Sequence, residues 1–305
     1  MPTLSILTPS FNYDWCIDDA LESVASAGKH VPAGWKVEHV VVDGGSSDTS
    51  PRILQRWASQ VTVELMSENR GQSHSLNRGL SHATGDWIGW LAADDFFLPW
   101  SLHDACSAFG SQLDVVYGDV AVVDRSARFI RLMAEHPFSP WTLRWWGPYL
   151  PVGAVFLRRS LLAQLGWRED LTLLIDWDLW LRATEAGARF GYVPTPFAAI
   201  RRHSAQDSQQ ARQGRLAEKV LVRREHGLPS RPWLWRAVER VASIDHGARK
   251  ALNGAYERQL RTRHLRDRSM RWFNDLEGWS AVASLYERGY GRKLTLPFSR
   301  EDQGL

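Results

Sequence analysis

Short β-rich runs alternate with longer amphipathic segments over the first 120 residues, and this alternation constrains the fold more than any other feature. Strand patterns fall at 4–8, 37–42, 61–66, 86–91 and 115–117, with helical patterns between them at 14–27, 51–59, 71–83 and 99–109. Such spacing builds βαβ units, so a Rossmann-like, mainly parallel sheet with helices on both faces is expected. Sites in sheets of this kind gather beyond the C-terminal ends of the strands. That rule points to Thr8 to Asn12, Asp43 to Asp48 and Ala92 to Asp95. After Gly118 the pattern loosens into a Trp- and Pro-rich stretch at 137–151, a strand and helix within 152–165, a helix at 176–186, and strand pieces at 193–197 and 200–203. From 209 onward it reads as helices, at 211–226, 232–241 and through a polar run from 248 to 286. The expected division is an α/β unit over 1–208 and a helical extension over 209–305.

Composition narrows the class. Of 305 residues 44% are hydrophobic and 23% charged, which excludes a disordered or low-complexity chain. A spanning helix needs about 18 apolar residues, and the most apolar stretch, Leu113 to Val123, already carries Asp114 and Asp119. No secretory signal precedes the first strand, and Cys16 and Cys106 form no paired motif, so a reducing cytoplasm is the expected setting. Charge is uneven: residues 1–200 hold 15 Lys and Arg against 22 Asp and Glu, net −7, whereas 201–305 hold 22 against 12, net +10. Either the extension meets something anionic, or its helices carry solvated charge.

Three acidic places could carry chemistry. Asp43, in the loop Asp43-Gly-Gly-Ser-Ser-Asp48, can accept from a nucleobase N–H or simply shape a turn. Asp94 and Asp95 repel one another at the end of an apolar strand; they suit a hard divalent cation, or a helix cap. Asp176 and Asp178, two apart, cannot share one helix face and should have separate jobs, one of them as a general base.

Six motifs in order carry a resemblance: Thr8-Pro-Ser-Phe-Asn12, the segment Val41 to Thr49, Ser67 to Gly79, Gly85 to Asp95, Tyr117-Gly-Asp119 and Asp176 to Arg182. Together they resemble the family-2 inverting glycosyltransferases of GT-A fold, over roughly residues 3 to 207. The resemblance implies that Thr8, Pro9, Asn12, Asp43, Arg70, Gly71, Asn77 and Asp94 bind the nucleotide sugar, Asp94 at the ribose or sugar. It implies that Asp95 and His203 serve a divalent metal, Mn²⁺ or Mg²⁺, and that Asp176 is the base. Ala92 stands where family members often have a carboxylate, and Ile175 where many have Glu; the second departure keeps Asp178 open as the base.

The activity implied is metal-assisted single displacement. A sugar passes from a nucleotide diphosphate to an acceptor hydroxyl, carbohydrate or lipid-linked, in bacterial cell-surface polysaccharide or glycoconjugate synthesis. Two rivals are a sugar-1-phosphate nucleotidyltransferase and a non-catalytic protein binding nucleotide sugar or nucleic acid. The first lacks a basic Gly-rich loop here, where Phe11-Asn-Tyr-Asp14 stands, and no nucleic-acid module is recognisable. Within 232–241, Trp233, Arg236, Ala237 and Arg240 fall close together at helical spacing. That helix either lies on the inner face of the plasma membrane or packs its tryptophans on the first domain.

Overall fold

A strand covered on both faces must be apolar at consecutive positions. In β1 (Thr3–Ser10) and β2 (Lys36–Asp43), Leu4, Ile6, Leu7 and Val40 to Val42 are all buried. The computed structural model describes residues 1–203, 212–273 and 276–291. Around these strands come α1 (Ile17–Gly28), α2 (Ser50–Trp57), β3 (Thr62–Leu65), α3 (Gln72–His82) and β4 (Trp87–Trp90). The alternation expected from the sequence is present.

Next come β5 (Phe96–Phe97), α4 (Ser101–Ala108), β6 (Val115–Asp124) and β7 (Phe129–Met133). They are followed by α5 (Pro140–Trp145), β8 (Val155–Arg158), α6 (Arg159–Leu165), α7 (Ile175–Glu185) and β9 (Phe190–Arg202). The nine strands form one sheet in the order β3-β2-β1-β4-β8-β6-β9-β5, with β7 on β6. From β3 to β4 every pair is parallel, but β8 runs antiparallel to both β4 and β6, and β5 runs antiparallel to β9. The sheet is therefore mixed, where a mainly parallel one was expected. A short buried strand such as Val155–Arg158 reads as an apolar run in either direction, so composition does not reveal its sense. The strand pieces at 193–197 and 200–203 are one long β9.

The C-terminal helices are α8 (Arg212–Glu225), α9 (Pro232–Leu252), α10 (Ala255–Arg261) and α11 (Leu276–Ser284). They share the core of the sheet: Trp272, Trp279, Val282 and Leu285 join Phe96, Phe97 and Trp100 in one apolar cluster. Polar ties fix the rest. Arg271 meets Asp19 at 2.6 Å, Lys250 meets Glu135 at 2.8 Å, and Tyr290 donates to Asp119 at 2.7 Å. The expected boundary at 208/209, Asp207 and the start of the helix at 211 lie outside the described residues.

Candidate active site

Across the parallel ladder Ser10 pairs with Asp43 and Leu7 with Trp90, so β1, β2 and β4 end at one edge. A cleft of about 560 Å³ opens there, lined by Pro9, Asn12, Trp15, Gly71, Thr172 and His203 among others. Its floor is two interlocked loops. Asn12 sits in the left-handed region at φ 60°, a conformation Asn tolerates better than most residues. From there its N–H donates to Ser46 Oγ at 2.8 Å, and its Oδ1 accepts from the Ser47 N–H at 2.8 Å. Asp43 accepts from the Gly45 and Ser46 N–H groups at 3.0 and 2.7 Å and from Ser46 Oγ at 2.7 Å. Gly45 is required: at φ 84° a Cβ would stand 3.1 Å from the Met66 carbonyl.

Beyond β4, Asp94 and Asp95 are nearly buried. Burial, then the Asp94 charge, push the Asp95 carboxyl well above its usual range, against the opposing pull of Arg201. His203 Nε2 lies 2.9 Å from Asp94 Oδ2, and the Arg201 N–H donates to Asp95 Oδ1 at 2.8 Å. The Arg201 guanidinium, itself buried against Asp19, donates to the Asp94 carbonyl at 2.6 Å. Two crowded carboxylates beside an imidazole are a donor set that fits Mn²⁺ or Mg²⁺. Arg201 and Asp19, which brace this turn, were not singled out in the sequence; a buried Arg on β9 whose carboxylate sits 182 residues earlier on α1 leaves no local pattern.

Asp176 and Asp178 occupy the first turn of α7 in opposite circumstances. Asp178 is fully buried and is met by Arg182 Nε at 2.7 Å, His226 Nε2 at 3.2 Å and Arg168 at 3.4 Å. Burial opposes its charge, yet His226, Arg182 and Arg168 hold its carboxyl below the usual range. Asp176 accepts the Trp177 N–H at 2.7 Å, and burial pushes its carboxyl up to about 6. An ionisation there leaves a carboxylate at neutral pH that is a stronger base than an ordinary one. Glu218 of α8 accepts the N–H groups of Thr172, Leu173 and Leu174 at 2.8, 2.8 and 3.0 Å, fixing the approach to this turn.

Two expected nucleotide contacts are placed elsewhere. The Thr8 hydroxyl is buried on His39 Nε2 at 2.9 Å, and Asn77 bridges the Trp167 backbone, donating to its carbonyl at 2.8 Å and accepting its N–H at 2.9 Å. Both serve packing, because alternate positions on a strand or helix face opposite ways. Arg70 is exposed beside Gly71, whose N–H donates to Asn69 Oδ1 at 2.9 Å. Asp119 of the fifth motif is also away from the cleft, bonded to Tyr192 and Tyr290 at 2.7 Å each. Among the described residues a further buried trio, Glu135, His136 and His246, brings three potential ligand atoms within 4.8 Å. Lys250 on Glu135 and the 2.8 Å contact of His136 with His246 make it a seam between β7 and α9.

A mixed sheet with helices on both faces, whose parallel half ends in a cleft, is the GT-A fold. The family model "Glycosyl transferase family 2" matches residues 5–165, and the chain belongs to that family. It is 29% identical over 242 residues to the O-antigen biosynthesis protein RfbC of Myxococcus xanthus, covering 73% of this chain and 18% of that protein. The chain therefore spans under a fifth of that relative. S. aureus TarS 1-349 in complex with UDP-GlcNAc superposes with TM-score 0.61 at 16% identity, covering 95% of this chain and 83% of the other. The mannosyltransferase PcManGT of Pyrobaculum calidifontis, in complex with GDP-Man and Mn²⁺, gives 0.54 at 18%, covering 96% and 88%. Among the described residues no helix is long and apolar enough to cross a membrane.

Proposed function

We propose that this chain transfers a sugar from a nucleotide diphosphate to an acceptor hydroxyl with inversion, in the assembly of a cell-surface polysaccharide or glycoconjugate. The observation that carries the reading is the contrast within α7: His226, Arg182 and Arg168 hold the Asp178 carboxyl below its usual range, while Asp176 keeps a raised carboxyl suited to proton abstraction. The O-antigen relative supports the cell-surface setting. The UDP-GlcNAc and GDP-Man complexes of the structural neighbours support a nucleotide-sugar donor in the cleft.

In this reading Pro9, Asn12 and Gly71 line the nucleoside end, with Asp43 and Arg70 at its edge, and Asp94 faces the ribose or sugar. Asp95, with His203 nearby, would hold a divalent cation, which when bound stabilises the charge developing on the leaving diphosphate. Asp176 takes the proton from the acceptor hydroxyl as that oxygen bonds to the anomeric carbon. The bond from that carbon to the diphosphate breaks in the same step, and its electron pair leaves with the diphosphate. Attack opposite the leaving group inverts the anomeric centre, and no covalent sugar-enzyme intermediate forms.

The test is nucleotide diphosphate release from a panel of sugar nucleotides, with Mn²⁺ or Mg²⁺ and with chelator. Release from one donor that depends on metal and on Asp176 supports the reading. Formation of a sugar nucleotide from a sugar 1-phosphate and a nucleoside triphosphate would replace it with the nucleotidyltransferase. No turnover alongside tight binding would leave a binding protein.

A further inference from the structure

Helix α9 is amphipathic in the reverse of the usual sense. Its packed side carries Trp235, Ala242, His246 and Lys250, all under a tenth exposed. Its outward side carries Trp233 at 68% exposure, Val241 at 60%, Ile244 at 74% and Leu252 at 87%, with Leu216 of α8 at 51%. Positions 233, 237, 244, 248 and 251 follow helical spacing, so Trp233, Ala237, Ile244, Ala248 and Ala251 form one stripe. Soluble helices turn such a stripe inward, and an apolar stripe in water marks a surface that something covers.

The charges on this helix are sorted as well. Arg236 and Arg240 are exposed along one flank of the stripe. The two acids are turned aside: Glu239 pairs with Lys219 at 2.6 Å, and Asp245 with Arg249 at 2.8 Å. The exposed residues of α9 therefore include no carboxylate. Beside the flank a cleft of about 460 Å³ is lined by Trp146, Lys219, Arg236, Arg240 and Ser243, with Glu239 the one acid among them.

We propose that the outward face of α9 rests on an anionic lipid bilayer. Trp233, Val241, Ile244 and Leu252 enter the headgroup boundary, and Arg236 and Arg240 meet lipid phosphates. A second copy of the chain fits less well, because a two-fold contact through this face would cover Arg236 and Arg240 of both copies with no acid on the face to meet them. Anionic lipid supplies apolar depth and negative charge together. The inference extends the partner side of the proposed transferase and rests on the helix itself, whatever donor the cleft takes.

The full chain is sedimented with vesicles of phosphatidylglycerol and phosphatidylcholine in equal parts, and with phosphatidylcholine alone. Binding to the first and not the second, weakened by salt, is expected. Arg236→Gln with Arg240→Gln should weaken it on the order of 10-fold, and Trp233→Ser with Ile244→Ser at least as much. All four side chains face away from the core, so both variants should keep the wild-type melting temperature and nucleotide diphosphate affinity. That separates this test from failure of the functional reading. Wild-type protein that stays in the supernatant at low salt overturns the proposal. So does equal binding by both double variants, or a stable dimer that Ile244→Ser dissociates.

Discussion

The acidic first two thirds of the chain and the basic last third meet inside the molecule, and the carboxylates of the first part differ according to whether they face that meeting. Asp19, Asp119, Glu135 and Asp178 are each 3% exposed or less, and each is met by a group from the C-terminal region: Arg271, Arg258, Lys250 and His226. The donor edge is treated otherwise. There Asp94 and Asp95 crowd one another, and in the first turn of α7 Asp176 is held with a raised carboxyl. A raised carboxyl is not by itself the mark of a working group, since burial also raises Asp119 and pushes Glu135 up to about 7 against the pull of Arg258 and Lys250, whereas Asp178 is held below the usual range. Opposite charge in the two parts of the sequence is thus first a docking pattern, and cations beyond it, such as Arg236 and Arg240, are what the surface shows.

The sharpest way to break this comparison is within α7. Asp176→Asn should lower transfer on the order of 10²-fold or more while donor binding persists, because a base acts on the acceptor proton. Asp178→Asn should instead cost about 3 kcal/mol of stability by leaving half-buried Arg182 and buried His226 without their carboxylate. Denaturant melts and initial rates on both variants decide it; a stable, inactive Asp178→Asn beside an active Asp176→Asn reverses the assignment. The titrations differ in sign too. Transfer by the wild type should fall as pH drops through about 6, where Asp176 takes up its proton. Because that carboxyl is raised in the fold, its ionisation opposes folding above the ordinary carboxyl range. Asp176→Asn should therefore melt higher than wild type at pH 7.5, the gap closing as pH falls through 6. Asp178 is lowered, so its stabilisation holds at neutral pH and is lost only below the ordinary carboxyl range.

Next in size is Asp95→Asn. With one oxygen on the Arg201 N–H and Asp94 adjacent, this side chain has little else to compensate its charge than a cation. Calorimetry should show Mn²⁺-dependent nucleotide diphosphate affinity reduced about 10-fold or more, with melting unchanged or raised, since the repulsion of Asp94 is relieved. Unaltered metal dependence in a folded variant would remove the metal from Asp95.

How far the sequence could lead follows from which interactions are local. The strand and helix alternation and the three loops at strand ends rest on periodicity and turn residues, and the structure has these elements. The antiparallel β8 was not legible, since direction is a property of the neighbours chosen across the sheet. Thr8 and Asn77 sit in motifs that frame the cleft, yet their side chains turn to His39 and Trp167, a choice of face that motif matching does not reveal. The two tryptophans near 233 illustrate the same limit. Trp235 packs inward beneath Lys219 and Arg223 of α8, while Trp233 faces out, a division between neighbouring rings that helical spacing alone does not reveal.

The smallest expected effect tests whether the basic extension only docks or also tunes the site. Glu218 reaches from α8 to three backbone N–H groups just before α7, and its charge also helps to raise Asp176. An amide at that position has one accepting oxygen and turns its NH₂ donor toward N–H donors. Glu218→Gln should therefore cost about 1 kcal/mol of stability, the size of a lost helix-end cap. A purely structural role would end there. If Glu218 positions the base, kcat should fall several-fold with donor KM unchanged, and the acid limb of the pH profile should move below 6, because one charge raising Asp176 is gone. An unmoved acid limb with only the stability loss would assign Glu218 to the seam between the two regions and leave Asp176 governed by burial alone.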